Sequence, residues 1–288
     1  MRRHRDTPGP RWGVDLAAAV PLVWLAALFV VPLGFTVVYA FGRSVFGAVE
    51  LGLTLDNFRI ALSGFYLDVF LRSLRFAALG TLLCLLVAVP VAYVLARKAG
   101  RWRTPLLLLV LVPYLTSFLL RILSWKILLA PGGQVEWLLN GLGLHEGRLD
   151  VLYTQTAVFV GMVYGFLPLM VVPLYVAFLR IPAATLEASA DLGAGRLRTF
   201  LHVTLPLARP GVATGVLLVY VPMAGEVIVP DLLGGGKGML MGGLISRQYL
   251  QAQNYALGSA MAVLVLVVLA AAVAVLARVT RSFDEVGP

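Results

Sequence analysis

An all-α integral membrane fold of six transmembrane helices is what this sequence predicts, on three observations. Of its 288 residues 60% are hydrophobic and only 13% are charged, whereas a soluble domain carries roughly 25% charged residues. Six windows contain no charge at all: Leu16–Gly42, Phe76–Ala96, Thr104–Leu120, Val151–Leu179, Pro210–Gly225 and Gln248–Ala277. Lysine and arginine gather in alternate connections between them, as the positive-inside rule requires of a chain that crosses repeatedly.

Taken in order, the first span covers about 16–42. The preceding Met1-Arg2-Arg3-His4-Arg5 has the look of a signal peptide. The apolar run is longer than the about 7–15 residues of a signal core, and no small-residue cleavage site closes it. It reads as an uncleaved first helix. Residues 43–72 are a mixed-charge connection with some helix around Leu55–Ile60. The second span covers about 74–96, and Arg97–Arg103 follows with four basic residues in seven.

A spanning helix needs about 20 apolar residues, so the third and fifth windows are short. The third extends to 104–129 if Arg121 and Lys126 snorkel to the interface. Pro131-Gly132-Gly133 and Asn140-Gly141 mark turns in the next connection. The fourth span is 151–179, the fifth 207–233 and the sixth 248–277, all within a single transmembrane domain, 1–288. Prolines inside the spans are tolerated where neighbours satisfy the freed carbonyls. Gly161-x-x-x-Gly165 and Gly211-x-x-x-Gly215 permit close helix approach.

Orientation follows from the basic residues. With the N-terminus inside, the inner segments hold fourteen of the 23 lysines and arginines but six of the 14 acidic residues. Both termini and the connection at 182–206 are then cytoplasmic.

That connection is a polar interruption with its own order. Pro182 suits the first turn of a helix. Gly193 and Gly195 end it, glycine being free to enter the left-handed conformation. Leu197, Phe200 and Leu201 then share one face of a second segment. Pro206 is expected to push Leu205 out of the helical region. An apolar face on a loop needs a burial partner.

Several function classes drop out. The net charge of +9 is dispersed between apolar runs, unlike a nucleic-acid surface. Gly234-Gly235-Gly236-Lys237-Gly238 lacks the first glycine and the Ser/Thr of a phosphate-binding loop. No hydrolase or metalloprotease motif is present, so catalytic residues are none. The single cysteine, Cys84, is a packing residue, and His4, His145 and His202 form no metal spacing, so metal ligands are none.

One charge lies at membrane depth. Glu226 stands 17 residues beyond Arg209, about 26 Å along an unbroken helix, but Pro222, Gly225 and Pro230 break that helix. A broken helix at depth lines a cavity, and an intramembrane carboxylate is a candidate for function. Capping of the break, or pairing with Arg121 or Lys126, is the structural alternative. Asp231 is a weaker candidate of the same kind. Tyr114, Trp125 and Tyr164 form either an interfacial aromatic belt or a cation–π path for an amine.

Glu187-Ala188-Ser189-x-Asp191-x-Gly193-Ala194, with Leu205-Pro206 downstream, resembles the EAA loop of inner-membrane permeases of binding-protein-dependent ABC importers. It departs at Ser189, a small residue in place of alanine. Thr116–Trp125, Gly161-Met162-Val163-Tyr164 with Pro168 and Pro173-Leu174-Tyr175, and Gly225–Gly235 extend the likeness, the last being similar to the spermidine/putrescine permease subfamily. The resemblance implies the type I permease fold in the bacterial inner membrane. It implies a coupling loop in which Glu187, Ala188, Asp191, Gly193, Ala194, Phe200, Leu205 and Pro206 meet a cytoplasmic ABC ATPase dimer. It further implies a second homologous permease, an extracytoplasmic solute-binding protein and a membrane lipid environment. ATP and Mg would sit on the ATPase, with no cofactor on this chain. The expected cargo is putrescine or spermidine, reached through Glu226, Asp231, Tyr114, Trp125 and Tyr164. Opine, phosphonate or other anion permeases share parts of the pattern, and an ATP-independent six-helix carrier is the alternative in another class.

Overall fold

The computed structural model describes residues 12–45 and 47–284. The basic cluster at Arg2, Arg3, Arg5 and Arg11 lies outside them. Helix α1 (Trp12–Ala40) leads into a short antiparallel hairpin, β1 (Arg43–Val45) and β2 (Ala48–Glu50), and then α2 (Asp56–Ala61). The hairpin and α2 close two helix ends. Asn57 donates from Nδ2 to the carbonyl of Ala40, at the end of α1, and to that of Gly42 just beyond it. Ser44 Oγ accepts from the Ala256 amide at the start of the last helix.

Helix α3 (Gly64–Arg97) follows, then α4 (Arg103–Leu115), α5 (Phe118–Leu128), α6 (Gln134–Gly141) and α7 (Gln155–Arg180). The loop helices are α8 (Ala183–Asp191), α9 (Arg196–Thr199), which runs through a π turn at Phe200–Thr204, and α10 (Leu205–Leu207). Helix α11 (Arg209–Ala224), a second π turn (Pro230–Gly234), α12 (Met241–Leu250) and α13 (Tyr255–Asp284) complete the chain.

Among the described residues, four continuous helices are long and apolar enough to cross a membrane: residues 19–40 of α1, then α3, α7 and residues 255–278 of α13. Counting each of two bent pairs as one span gives up to six: residues 100–115 with α5, bent by 92°, and residues 196–207 with α11, bent by 67°. The core is the mutual packing of α3, α7 and α11, with Cys84, Met162, Met170, Leu174, Phe178, Val219 and Met223 fully or almost fully buried. Cys84 is a packing residue, as expected, its thiol directed at the Val163 carbonyl. The two glycine spacings hold neighbours close: Gly211 and Gly215 lie against Ala177, Pro173 and Met170 of α7, while Gly161 receives Leu233 and Gly165 receives Phe118. Helix α1 packs against α13 and turns Trp24, Phe29 and Val30 outward.

Helix boundaries differ from the charge-free windows for identifiable reasons. Helix α3 begins ten residues before position 74 and is about 51 Å long, so it continues past an about 30 Å hydrocarbon core, carrying Asp68, Arg72 and Arg75 along. The third segment is not one helix. Thr116 is extended at ψ 163°, and its hydroxyl donates to the Pro113 carbonyl (2.7 Å), ending α4. The window 248–277 contains a break where Gln253 adopts φ 50° and Asn254 Oδ1 accepts from the Leu257 amide. The expected helix near Leu55–Ile60 is present as α2; α6 and the hairpin had no periodic signal long enough to read.

Candidate functional site

The segment after α7 forms a compact, hydrogen-bonded unit. Pro182 sits at the N-cap of α8, one place before the predicted first turn. The helix ends where expected. Gly193 adopts φ 78°, its amide donates to the Ala190 carbonyl (2.9 Å), and the Ala194 amide donates to the Ser189 carbonyl (3.1 Å). These paired bonds are a Schellman stop, which a left-handed residue completes. Gly195 does something else: at φ −66° and ψ 160° it is the extended N-cap of α9.

Ser189 is buried and shares a 2.9 Å hydrogen bond with the Thr199 hydroxyl. An alanine at 189 could not make this link between α8 and α9, and Thr199 carried no motif that would have announced it. Leu205 corrects an expectation. It is helical (φ −67°, ψ −42°), with its amide bonded to the Phe200 carbonyl. The π turn widens the helix before Pro206, which relieves the contact between a proline ring and the carbonyl four residues back.

Of the three residues expected on one apolar face, one is packed. Phe200 stands edge-to-face with Tyr93 of α3 (5.2 Å between centroids) and tilted against Phe178 of α7 (6.4 Å), while Tyr93 and Phe178 meet at 5.8 Å. Leu197 is 72% exposed and Leu201 47%, joined by Leu192 at 88%. A hollow between α8 and α9 is lined by Ala188, Ser189, Leu192, Ala194 and Arg198. Glu187 and Asp191 are exposed beside it. Arg97, at the end of α3, donates from Nη2 to the Ile181 carbonyl just before α8. Tyr93 and Phe178 escaped the sequence reading because they look like ordinary members of apolar helices, and Arg97 was read there only as a charge that sets orientation.

At the far end of α11 the chain breaks after Ala224. Glu226 is partly buried, and its Oε1 accepts from the Ile228 (2.9 Å) and Val229 (3.3 Å) amides, capping the turn that follows. Among the described residues it forms no ion pair with Arg121 or Lys126. Asp231 lies 3.8 Å from Arg247 of α12, both about half exposed. The π turn packs on α5 and α7, and the Leu233 carbonyl accepts from the Tyr153 amide (2.8 Å).

Each aromatic candidate has a ring or cation neighbour of its own. Tyr114 is covered by the Arg121 guanidinium at 4.9 Å, which also lies over Phe118. Trp125 and Tyr164 meet edge-on at 5.3 Å between α5 and α7. Lys126 stands over Tyr153 at 5.8 Å. No group of His, Cys, Asp and Glu able to hold a metal occurs among the described residues.

A chain with this architecture has many relatives. The family profile described as "Binding-protein-dependent transport system inner membrane component" matches residues 88–284. The spermidine/putrescine transport system permease protein PotB of Escherichia coli K12 is 37% identical over 237 residues, covering 82% of this chain and 86% of that protein. The inner membrane ABC transporter permease protein YdcU of the same organism is 31% identical over 291 residues, covering 96% and 92%. Among solved structures, a bacterial alginate ABC transporter in complex with an alginate-pentasaccharide-bound periplasmic protein matches with a TM-score of 0.78 at 17% identity, covering 95% of each chain. At that identity the likeness concerns the fold.

Proposed function

This chain belongs to the binding-protein-dependent transport system inner membrane components, and we propose that it moves polyamines, putrescine and spermidine, into the cytoplasm as one permease subunit of an ATP-driven importer. Its similarity to spermidine/putrescine permeases over most of its length carries the choice of cargo. The partners in this reading are a cytoplasmic ATPase dimer, a second homologous permease and an extracytoplasmic binding protein. ATP and Mg bind the ATPase, and this chain supplies the path.

Both termini and the α8–α9 unit face the cytoplasm in this reading. The exposed Leu192 and Leu197, beside Glu187 and Asp191, are then the surface that meets the ATPase. The Schellman stop and the Ser189–Thr199 bond hold that surface rigid, so displacement is passed on rather than absorbed. It reaches α11 through the π turn and α10, and reaches α3 and α7 through Phe200.

Glu226 acts as both cap and counter-charge. Its Oε1 holds the break, and the carboxylate charge offers an ammonium a partner in a partly dry path. Arg121 and Lys126 lie over aromatic rings, which gives them a packing role instead of one in gathering an anionic solute. The test is ATP hydrolysis by the complex reconstituted with its genomically neighbouring ATPase, second permease and binding protein. Putrescine-loaded binding protein is expected to raise hydrolysis severalfold. A rise with an anionic solute and none with putrescine would reverse the substrate assignment.

A further inference from the structure

Helix α6 is short, yet it is held firmly and presents an apolar face with no partner among the described residues. Glu136 Oε2 accepts from the Gly132 (3.0 Å) and Leu149 (2.9 Å) amides, tying the two ends of the segment together. Val135 packs inward against the buried core. Asn140 Nδ2 donates to the Gly147 carbonyl (3.2 Å), so its amide is turned into the segment itself. What remains outward is Trp137, 76% exposed, with Leu138, Leu142 and Leu144.

We infer that this face lies in the interfacial layer of the bilayer and anchors the α5–α7 connection to lipid. Three features favour lipid over another occupant. The face carries no charge and combines an indole with leucines, the composition of a segment lying flat between headgroups and acyl chains. It follows directly on α5, against whose last turn Gly133 at the N-cap of α6 is packed, and α5 itself exposes Ile127 (65%) and Leu120 (63%). It is also fixed at both ends before any partner arrives, so lying in the membrane orders nothing further. In the proposed orientation this is the outer leaflet, although the inference itself does not depend on cargo or on ATP.

The test uses the full complex in proteoliposomes. Cys84→Ala removes this chain's single cysteine, the other subunits are used as cysteine-free variants, and Trp137→Cys and Leu142→Cys each carry an environment-sensitive nitrobenzoxadiazole probe. Both probes are expected to emit at shorter wavelength and to be quenched severalfold more by nitroxides near the lipid headgroup than by aqueous iodide. A probe at Glu146→Cys, on the exposed charged stretch beyond the helix, is expected to show the reverse. Strong iodide quenching at 137 and 142 would place the face in water, and shielding from both quenchers would place it under a protein subunit. Either result overturns the inference, and ATP hydrolysis by each labelled complex verifies assembly.

Discussion

The ring of Phe200, in the loop between α7 and α11, stands edge-on to the ring of Tyr93 in α3 with 5.2 Å between centroids. Phe178 of α7 completes a three-way contact. The loop is therefore joined to the bundle at a point of side-chain packing as well as through chain continuity. If an ATPase moves this unit, α3 and α7 feel the movement along with α11.

Removing that ring separates docking from transmission. Phe200→Ala forfeits two ring contacts, each worth about 0.5–1.5 kcal/mol beyond area burial, while leaving Leu192 and Leu197 in place. ATPase association is expected to persist, and polyamine uptake per ATP hydrolysed is expected to fall severalfold. Uptake and hydrolysis measured on the same proteoliposomes read the ratio; an unchanged ratio would remove Phe200 from the transmission route.

Gly193 tests the backbone alone. A side chain there meets nothing within 4 Å, so space is not the obstacle. The obstacle is φ 78°, which costs an ordinary residue about 1–2 kcal/mol and a β-branched one more. Gly193→Val is expected to abolish co-purification of the ATPase without impairing membrane insertion, and Gly193→Asn to retain it. Full ATPase recovery with the valine variant would dissociate docking from the Schellman stop.

Glu226 can be divided into its two roles. Glutamine keeps a carbonyl oxygen for the Ile228 and Val229 amides but loses the charge. Glu226→Gln is expected to leave thermal stability near wild type and to lower putrescine uptake. Glu226→Ala loses the cap as well, at about 0.5–2 kcal/mol, and is expected to melt earlier. Equal uptake by wild type and the glutamine variant would leave Glu226 with its capping role only.

The α6 segment carries a pH signature. Two backbone amides, of Gly132 and Leu149, hold the Glu136 carboxyl below the usual carboxylate range. A lowered folded-state value stabilises the segment above the unfolded glutamate value, about 4.3, and that contribution is lost as pH falls through the folded value. Protection of the Gly132 and Leu149 amides from exchange is expected to exceed that in Glu136→Ala near neutral pH. The difference should shrink towards zero in acid, and a pH-independent difference would sever the link to this carboxyl.

The helical membrane fold was legible because an apolar run of about twenty residues without a charge suits a bilayer and little else. The Schellman stop at Gly193 was legible for a similar reason, since glycine after a short helix has a specific backbone use. Leu205 was misread because the rule for a residue before proline assumes regular α-helical spacing, and the π turn at Phe200–Thr204 changes that spacing. The breaks at Thr116 and Gln253 were invisible to charge counting, as both lie in stretches without charge. Leu197 and Leu201 share a helical face with Phe200, yet periodicity specifies a face without naming what covers it. The link from Ser189 to Thr199 and the ring contacts of Tyr93 and Phe178 are products of tertiary packing.

The decisive measurement is uptake of labelled putrescine, spermidine and an anionic solute into proteoliposomes holding this chain with its ATPase, second permease and binding protein. Polyamine import driven by ATP requires that both polyamines accumulate only when ATP is supplied, and that the anion does not accumulate. Polyamine uptake that proceeds without ATP and without the ATPase subunits, or accumulation of the anion in place of the polyamines, would contradict it.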